Sequence, residues 1–271
     1  MKRFIFALLL LTATVPAPGR TIRILAIGNS FSVNAVEQNL YELALEGGDT
    51  LIIGNCYRPG QSLAAHWREV ENDDHKIEYR KIVAGVRTVR PGCSLHDCLL
   101  DEAWDCIAFQ QASHDSGLPE SYEPALTHLI EYVSSVATNP NVKFGFHQTW
   151  AYARNSTHEG FARYAYDQQI MYQAIRWTSV DAVRWHDTLR FIIPCGEAIQ
   201  RLRATRMGDN FCSDGYHLNA AGCYAAACTW LAVLTGQNPT KRTYRPHDIA
   251  EQDACLIRQE VARVVRRKSK K

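Results

Sequence analysis

The chain has 271 residues, 46% of them hydrophobic and 21% charged, and its 30 lysines and arginines nearly balance 28 acidic residues to leave a net charge of +2. That balance, with no stripe of alternating basic and aromatic residues, gives no basis for a nucleic-acid partner. The length allows one sizeable α/β core, and nothing Pro- or Ser-rich divides it, so residues 18–271 are expected to form a single domain.

Residues 1–17 open with Lys2 and Arg3, run apolar from Phe4 to Leu11, and offer Val15-Pro16-Ala17 as a small-residue cleavage site. This reads as a secretory signal peptide, which makes the mature protein periplasmic or secreted. The apolar segment is short for a membrane span and no cysteine follows it to carry a lipid anchor, so no stable membrane anchor is expected after cleavage. Nine cysteines in an exported chain leave room for one or two disulfides. Cys93 and Cys98 are close in a polar loop region, and Cys223 and Cys228 lie on one predicted helix. Neither pair has the C-x2-C spacing of a zinc site, even with His96 nearby, and no metal or cofactor is expected.

In chain order, the stretch Thr21 to Ser32 opens with a central strand: Ile22, Ile24, Leu25, Ala26 and Ile27 are apolar, and only Arg23 interrupts them. Gly28-Asn29 breaks the run, and a helical pattern follows in Val36, Leu40, Leu43 and Ala44. Ser30 therefore lies between a strand's carboxyl end and a helix start, where open α/β sheets place their ligands. Its hydroxyl has two readings there. It is a nucleophile aided by backbone N–H groups, or a plain turn residue beside a cap supplied by Asn29 or Ser32.

Thr50 to Tyr57 forms a second strand, leading through Gly60 to a helix capped by Ser62. Gly60 lets a backbone N–H approach a ligand where no Cβ intervenes, or serves simply as a turn glycine. Residues 77–89 alternate polar and apolar around Gly85, which predicts an inserted β-hairpin. A short helix over Leu95 to Leu100 precedes a third strand, Trp104 to Phe109, that ends in Gln110-Gln111-Ala112-Ser113-His114. Helix is predicted over Pro119 to Val136, strand over Val142 to Phe146, helix over Phe161 to Trp177, strand over Thr188 to Ile193 and helix over Pro194 to Leu202. The loop His147-Gln148-Thr149-Trp150-Ala151-Tyr152 is a candidate sugar-contacting surface, since aromatic faces pack on sugar C–H groups while amides and imidazoles bond hydroxyls. A core Trp with neighbouring polar residues gives the same pattern. Strand and helix alternate throughout, which argues for a doubly wound parallel sheet with helices on both faces. The basic tail from about 263, with Arg263, Arg266, Arg267, Lys268, Lys270 and Lys271, suits the solvated end of a last helix.

Asp214-Gly215-Tyr216-His217 precedes an apolar helix over Ala220 to Leu234. A serine hydroxyl needs an imidazole to take its proton, and an Asp on the other ring nitrogen fixes the tautomer. One loop supplies both partners here.

These features together resemble the SGNH, or GDSL-like, hydrolase superfamily, and more narrowly a branch of secreted bacterial proteins with a G-N-S-F-S nucleophile block. The resemblance spans Ile22 to about Gly236. Gly28-Asn29-Ser30 matches the nucleophile block, Gly60 the second-block glycine, and Asp214 and His217 the terminal D-x-x-H block. It implies a three-layer α/β sandwich of flavodoxin-like type around a central parallel sheet. It also implies a catalytic Ser30-His217-Asp214 triad, with oxyanion donors at the Ser30 and Gly60 N–H groups. The third block departs from the family's G-x-N-D: the usual Asn falls on Ala112. The side-chain donor is therefore expected from Gln111, with Gln110 as runner-up.

The function implied is a serine ester hydrolase that removes O-acetyl or other small O-acyl groups from carbohydrates, with His147, Gln148, Trp150 and Tyr152 contacting the sugar. Lipid ester or thioester hydrolysis is the alternative activity. A carbohydrate-binding protein that kept the fold but lost turnover is the alternative of another class.

Overall fold

A computed structural model of the protein describes residues 19–268; the expected signal peptide and residues 269–271 of the basic tail lie outside them. Seven strands form one sheet in the order β4-β3-β2-β1-β5-β6-β7. They are β1 (Thr21–Gly28), β2 (Thr50–Tyr57), β3 (Ile77–Val83), β4 (Val86–Cys93), β5 (Cys106–Phe109), β6 (Lys143–His147) and β7 (Leu189–Ile193). All pairings from β2 across to β7 are parallel, and β3 and β4 add an antiparallel edge. The chain leaves β1 towards β2 on one side and later returns to β5 on the other. The carboxyl ends of β1 and β5 thus flank the point where strand order reverses, the crevice in which such sheets bind ligands.

The side-chain period of two sorts β1 between two cores. Ile24 and Ala26 face one, with α1 (Ser30–Val36), α2 (Leu40–Glu46), α7 (Cys195–Arg203), α8 (Ala220–Thr235) and α9 (Glu251–Lys268). Leu25 and Ile27 face the other, with α3 (Leu63–Glu71), α4 (Leu95–Leu100) and α5 (Ala125–Val136). This is the three-layer sandwich the sequence predicts. Helix α8 is apolar all round, and every residue from Gly222 to Ala232 is buried because α9 covers its outer side. Arg263 of the basic segment pairs with Glu260 on α9.

Helix ends differ from the predicted ones where a local polar group or backbone turn stops the periodic pattern. Asn39, at a φ of 65°, separates α1 from α2. The helix predicted from Pro119 resolves into a 3-10 turn, Pro119–Ser121, and α5. The helix predicted from Phe161 becomes a 3-10 segment, Glu159–Tyr164, followed by α6 (Gln168–Trp185). Asp167 starts α6 by accepting from the N–H groups of Gln169 and Ile170. All nine cysteines are free thiols, so the room left for disulfides goes unused. Cys93, Cys98, Cys223 and Cys228 all pack in the two cores, where thiols act as small apolar side chains.

The predicted hairpin is β3–β4, extending to Cys93, and its two-residue turn places both Ala84 (φ 50°) and Gly85 (φ 76°) in the left-handed region. Such turns favour Asn-Gly because an L-alanine at positive φ is strained. Ala84→Asn should therefore stabilise the fold by about 0.5–1 kcal/mol, read as a shift in the denaturant midpoint at unchanged slope. A destabilised variant would show that the turn is not of this type.

Candidate active site

Ser30 follows β1 with only Asn29 between them. Asn29 is the cap of α1, as one reading of the sequence had it, but this leaves Ser30 free rather than idle: the cap is made by the Asn29 side chain accepting from the Phe31 N–H. Ser30 Oγ lies 2.8 Å from His217 Nε2, and His217 Nδ1 lies 2.7 Å from Asp214 Oδ2. Asp214 Oδ1 also accepts from the backbone N–H groups of Tyr216 and His217. Partial burial alone would raise the Asp214 carboxyl, but these bonds hold it below the ordinary carboxylate range, so it stays anionic. An anion on Nδ1 keeps the proton there and leaves the Nε2 lone pair for the Ser30 hydroxyl.

The loop that carries Asp214 and His217 is closed by an isolated bridge between Cys212 and Leu218, with Ser213 N–H donating to His217 O. Gly215 sits at φ 94°, and a Cβ there would meet the Ser156 Cα at 2.9 Å. Two ties bind this loop to the nucleophile's helix. Leu218 N–H donates to Asn34 Oδ1 on α1, and Trp150 Nε1–H donates to Tyr216 O while its ring stacks on Phe31 at 4.1 Å.

A cavity of about 620 Å³ opens over Ser30 and His217. Gly60 forms part of its wall at a φ of 60°. The N–H groups of Ser30 and Gly60 have no acceptor among the described residues. Tyr57, Ser113, His114, His158, Arg163 and Tyr216 make up most of the remaining wall. Nothing in the sequence marks His158, and Arg163 reads only as part of a predicted helix; the place of this segment between β6 and α6 brings both to the carboxyl edge. Ser113 had a faint signal, as the first hydroxyl after the third predicted strand.

Neither glutamine reaches the cavity. Gln111 is fully buried, its carbonyl oxygen accepting from the N–H groups of Leu63 and Ala112 and its amide nitrogen donating to Ser121 O and Oγ. Gln110 is also buried, donating to Asn29 Oδ1 and facing His147 Nδ1 through Oε1. Every polar atom of both amides is engaged below the site, which corrects the expectation of a glutamine donor. The proposed sugar-contacting loop is corrected likewise. His147, Gln148, Trp150 and Tyr152 are at most 1% exposed and lie in the layer beneath the cavity. Gln148 bonds Ser179 Oγ and the Glu197 N–H, and Tyr152 OH meets Ser113 Oγ.

The structure thus defines a doubly wound sheet with a serine at its switch point and a D-x-x-H loop bonded to it. The chain belongs to the family described as Domain of unknown function (DUF4886), whose model matches residues 23–263. It is similar to a DUF4886 family protein from Bacteroides uniformis ATCC 8492, at 39% identity and a TM-score of 0.88 over 90% of this chain and 95% of that one. The fold is shared with a proposed SGNH hydrolase from Slackia heliotrinireducens (22% identity, TM-score 0.55, 78% and 97% covered). It is shared too with Axe2, an acetylxylan esterase from Geobacillus stearothermophilus (11% identity, TM-score 0.51, 79% and 94% covered). No curated protein matches the chain.

Two buried rings beneath the site bear on stability. Burial pushes His66 down to about 4, although its Nε2 faces Gly28 O at 3.1 Å, and burial pushes His147 down to about 3. Both are neutral in the fold at neutral pH. The unfolded chain takes up protons near pH 6.5 that these rings refuse, so their stabilisation is full above about 6.5 and is lost as pH falls towards 4. Unfolding free energy should drop by roughly 3 kcal/mol per histidine over that interval, most of it above the range in which carboxylates titrate. Denaturant melts at pH 7 and pH 4.5 check this; a flat profile would mean the rings are not excluded from protons.

Proposed function

We propose that the protein is a serine ester hydrolase that removes O-acetyl or other small O-acyl groups from carbohydrates, in the periplasm or outside the cell. The observation that carries this reading is the continuous Ser30–His217–Asp214 hydrogen-bond chain opening onto a cavity with two unengaged backbone N–H groups.

In the reaction, Ser30 Oγ attacks the ester carbonyl carbon as its proton passes to His217 Nε2. The carbonyl oxygen becomes the anion of a tetrahedral intermediate, facing the Ser30 and Gly60 N–H groups. When the C–O bond to the sugar breaks, His217 returns the proton to the leaving oxygen and the acyl group stays on Ser30. Water, deprotonated by His217, then attacks the acyl carbon. Ser30 leaves with that proton, and the carboxylic acid is released. Asp214 stays ionised and stabilises the imidazolium in both halves of the cycle.

The wall favours a carbohydrate over a lipid. Tyr57, Tyr216, His114 and His158 line the cavity with aromatic rings that carry polar atoms, beside Ser113 and Arg163. A lipid ester would bury a long chain in apolar surroundings. The fold is one that an acetylxylan esterase also uses, which is compatible with this substrate class.

A fluorophosphonate probe should label wild type at Ser30 and leave Ser30→Ala unlabelled. Acetate release from acetylated glycans should vanish in Ser30→Ala, and Asp214→Asn should lower kcat by roughly 10³–10⁴-fold through the wrong tautomer. Equal release by wild type and Ser30→Ala would sink the mechanism. Rising kcat/KM with acyl length in a p-nitrophenyl ester series would favour lipid esters instead. Glycan binding without any esterase activity would favour the binding protein.

A further inference from the structure

With Gln110 and Gln111 committed elsewhere, and the Asn29 amide in the cavity wall already donating to Gln61 O, the cavity has two backbone donors for an oxyanion and no uncommitted side-chain amide. From the loop after β5, the first residue to line the cavity is Ser113, in the same wall as Ser30 and Gly60. Its Oγ lies 2.8 Å from the Tyr152 hydroxyl, and either atom is capable of donating.

Counting donors and acceptors decides the direction. Tyr152 is fully buried, and Ser113 Oγ is the only partner of its hydroxyl among the described residues. If Ser113 donated, the Tyr152 proton would have no acceptor in a dry interior, at the cost of a buried unpaired donor. If Tyr152 donates, its proton is satisfied, and the Ser113 proton is left to turn outward into the cavity. A hydroxyl that accepts from a phenol is also polarised into a stronger donor. The rings of His158, Phe161 and Tyr216, with centroids 4.8, 5.6 and 5.7 Å away, hold Tyr152 in this orientation. Burial pushes the phenol well above its ordinary value, so it keeps its proton at every working pH.

We infer that Ser113 is the third oxyanion donor of this site, with Tyr152 as the positioning residue that fixes its hydroxyl. The inference rests on the serine-hydrolase reading above. In the step concerned no bond forms to Ser113: its O–H lengthens towards the carbonyl oxygen as negative charge builds there, and relaxes when the intermediate collapses.

The test runs on the full-length mature protein with p-nitrophenyl acetate, after wild type has been shown to label at Ser30 with a fluorophosphonate. Ser113→Ala should lower kcat about a hundredfold with KM within threefold, in line with the loss of one such donor in other hydrolases. Tyr152→Phe keeps the Ser113 hydroxyl but frees its direction, and should cost about tenfold in kcat. Ser113→Thr, which keeps the hydroxyl, should recover most of the Ser113→Ala loss. A phenylboronic acid, which forms a tetrahedral anion on Ser30, should bind Ser113→Ala more weakly by the same factor as the fall in kcat/KM. That correlation would not arise from a merely structural role. Turnover of Ser113→Ala within threefold of wild type overturns the inference, as does a slowed variant that binds the boronic acid with unchanged affinity. A wild type that neither labels nor hydrolyses overturns the serine-hydrolase reading itself, and this inference with it.

Discussion

The amide of Asn29 holds the carboxyl edge of the sheet together. Its oxygen accepts from the Phe31 N–H and from Gln110 Nε2, while its nitrogen donates to Gln61 O at 2.9 Å and, more loosely, to Gln111 O at 3.5 Å. The turn after β1 is thereby tied to the loops after β2 and β5, the three segments that carry Ser30, Gly60 and Ser113. An aspartate could not hold these loops in the same way. It would place a carboxylate oxygen against two backbone carbonyl oxygens, with no N–H to offer either. The G-N-S block and the Gln110 that follows β5 are thus one feature. The neutral amide at position 29 requires a donor from the β5 loop, and Gln110 supplies it.

This coupling explains which parts of the site were legible in the sequence. Ser30 and the Asp214-x-x-His217 spacing announce themselves through local pattern: an apolar strand broken by small residues, and a base and its orienting acid in one loop. The fate of Gln111 has no local sign. Its donors meet Ser121 ten residues on, and its oxygen meets the Leu63 N–H 48 residues back, so only the fold reveals that the amide is already in use. Composition also cannot tell a surface from the layer beneath it. His147, Gln148, Trp150 and Tyr152 have the aromatic and polar mix of a sugar platform, yet the loop carrying Asp214 and His217 lies over them, and Trp150 serves that loop by bonding Tyr216 O.

The strand and helix order was legible because α/β alternation is written in hydrophobic period. Boundaries failed where a left-handed turn interrupted a helix that periodicity would have continued, as at Asn39 and at Ala165, after which Asp167 starts α6 afresh. Buried polar groups cluster at the carboxyl ends of β1, β5 and β6, since that is where the sheet gives up its ladder and side chains must satisfy what the ladder no longer does. His147 Nε2 is an exception, a buried nitrogen with no hydrogen-bond partner among the described residues, on a ring that packs edge-to-face with Trp230 at 5.2 Å between centroids. An unpaired lone pair against a ring is tolerable for a neutral imidazole and not for a protonated one, which is the physical content of its depressed basicity.

The β3–β4 hairpin, whose sequence gives no hint of a role, belongs to the same construction. Ser32, two residues past the nucleophile, donates to Asn55 Oδ1 on β2, and Asn55 Nδ2 donates to Glu37 Oε1 at the end of α1. Glu37 is only 2% exposed at its side chain, a position at which a lone carboxylate is strongly disfavoured. Arg80 on β3 and Arg87 on β4 both reach it, at 3.3 and 2.9 Å. The hairpin thus supplies two guanidinium partners to the buried Glu37 side chain. Glu37 in turn orients Asn55, and Asn55 anchors the first turn of α1. An edge addition that looks decorative in the topology is therefore joined, through the side chains of Arg80, Arg87, Glu37, Asn55 and Ser32, to the helix that begins with Ser30. The antiparallel edge serves the site through charge rather than through contact with whatever occupies the cavity.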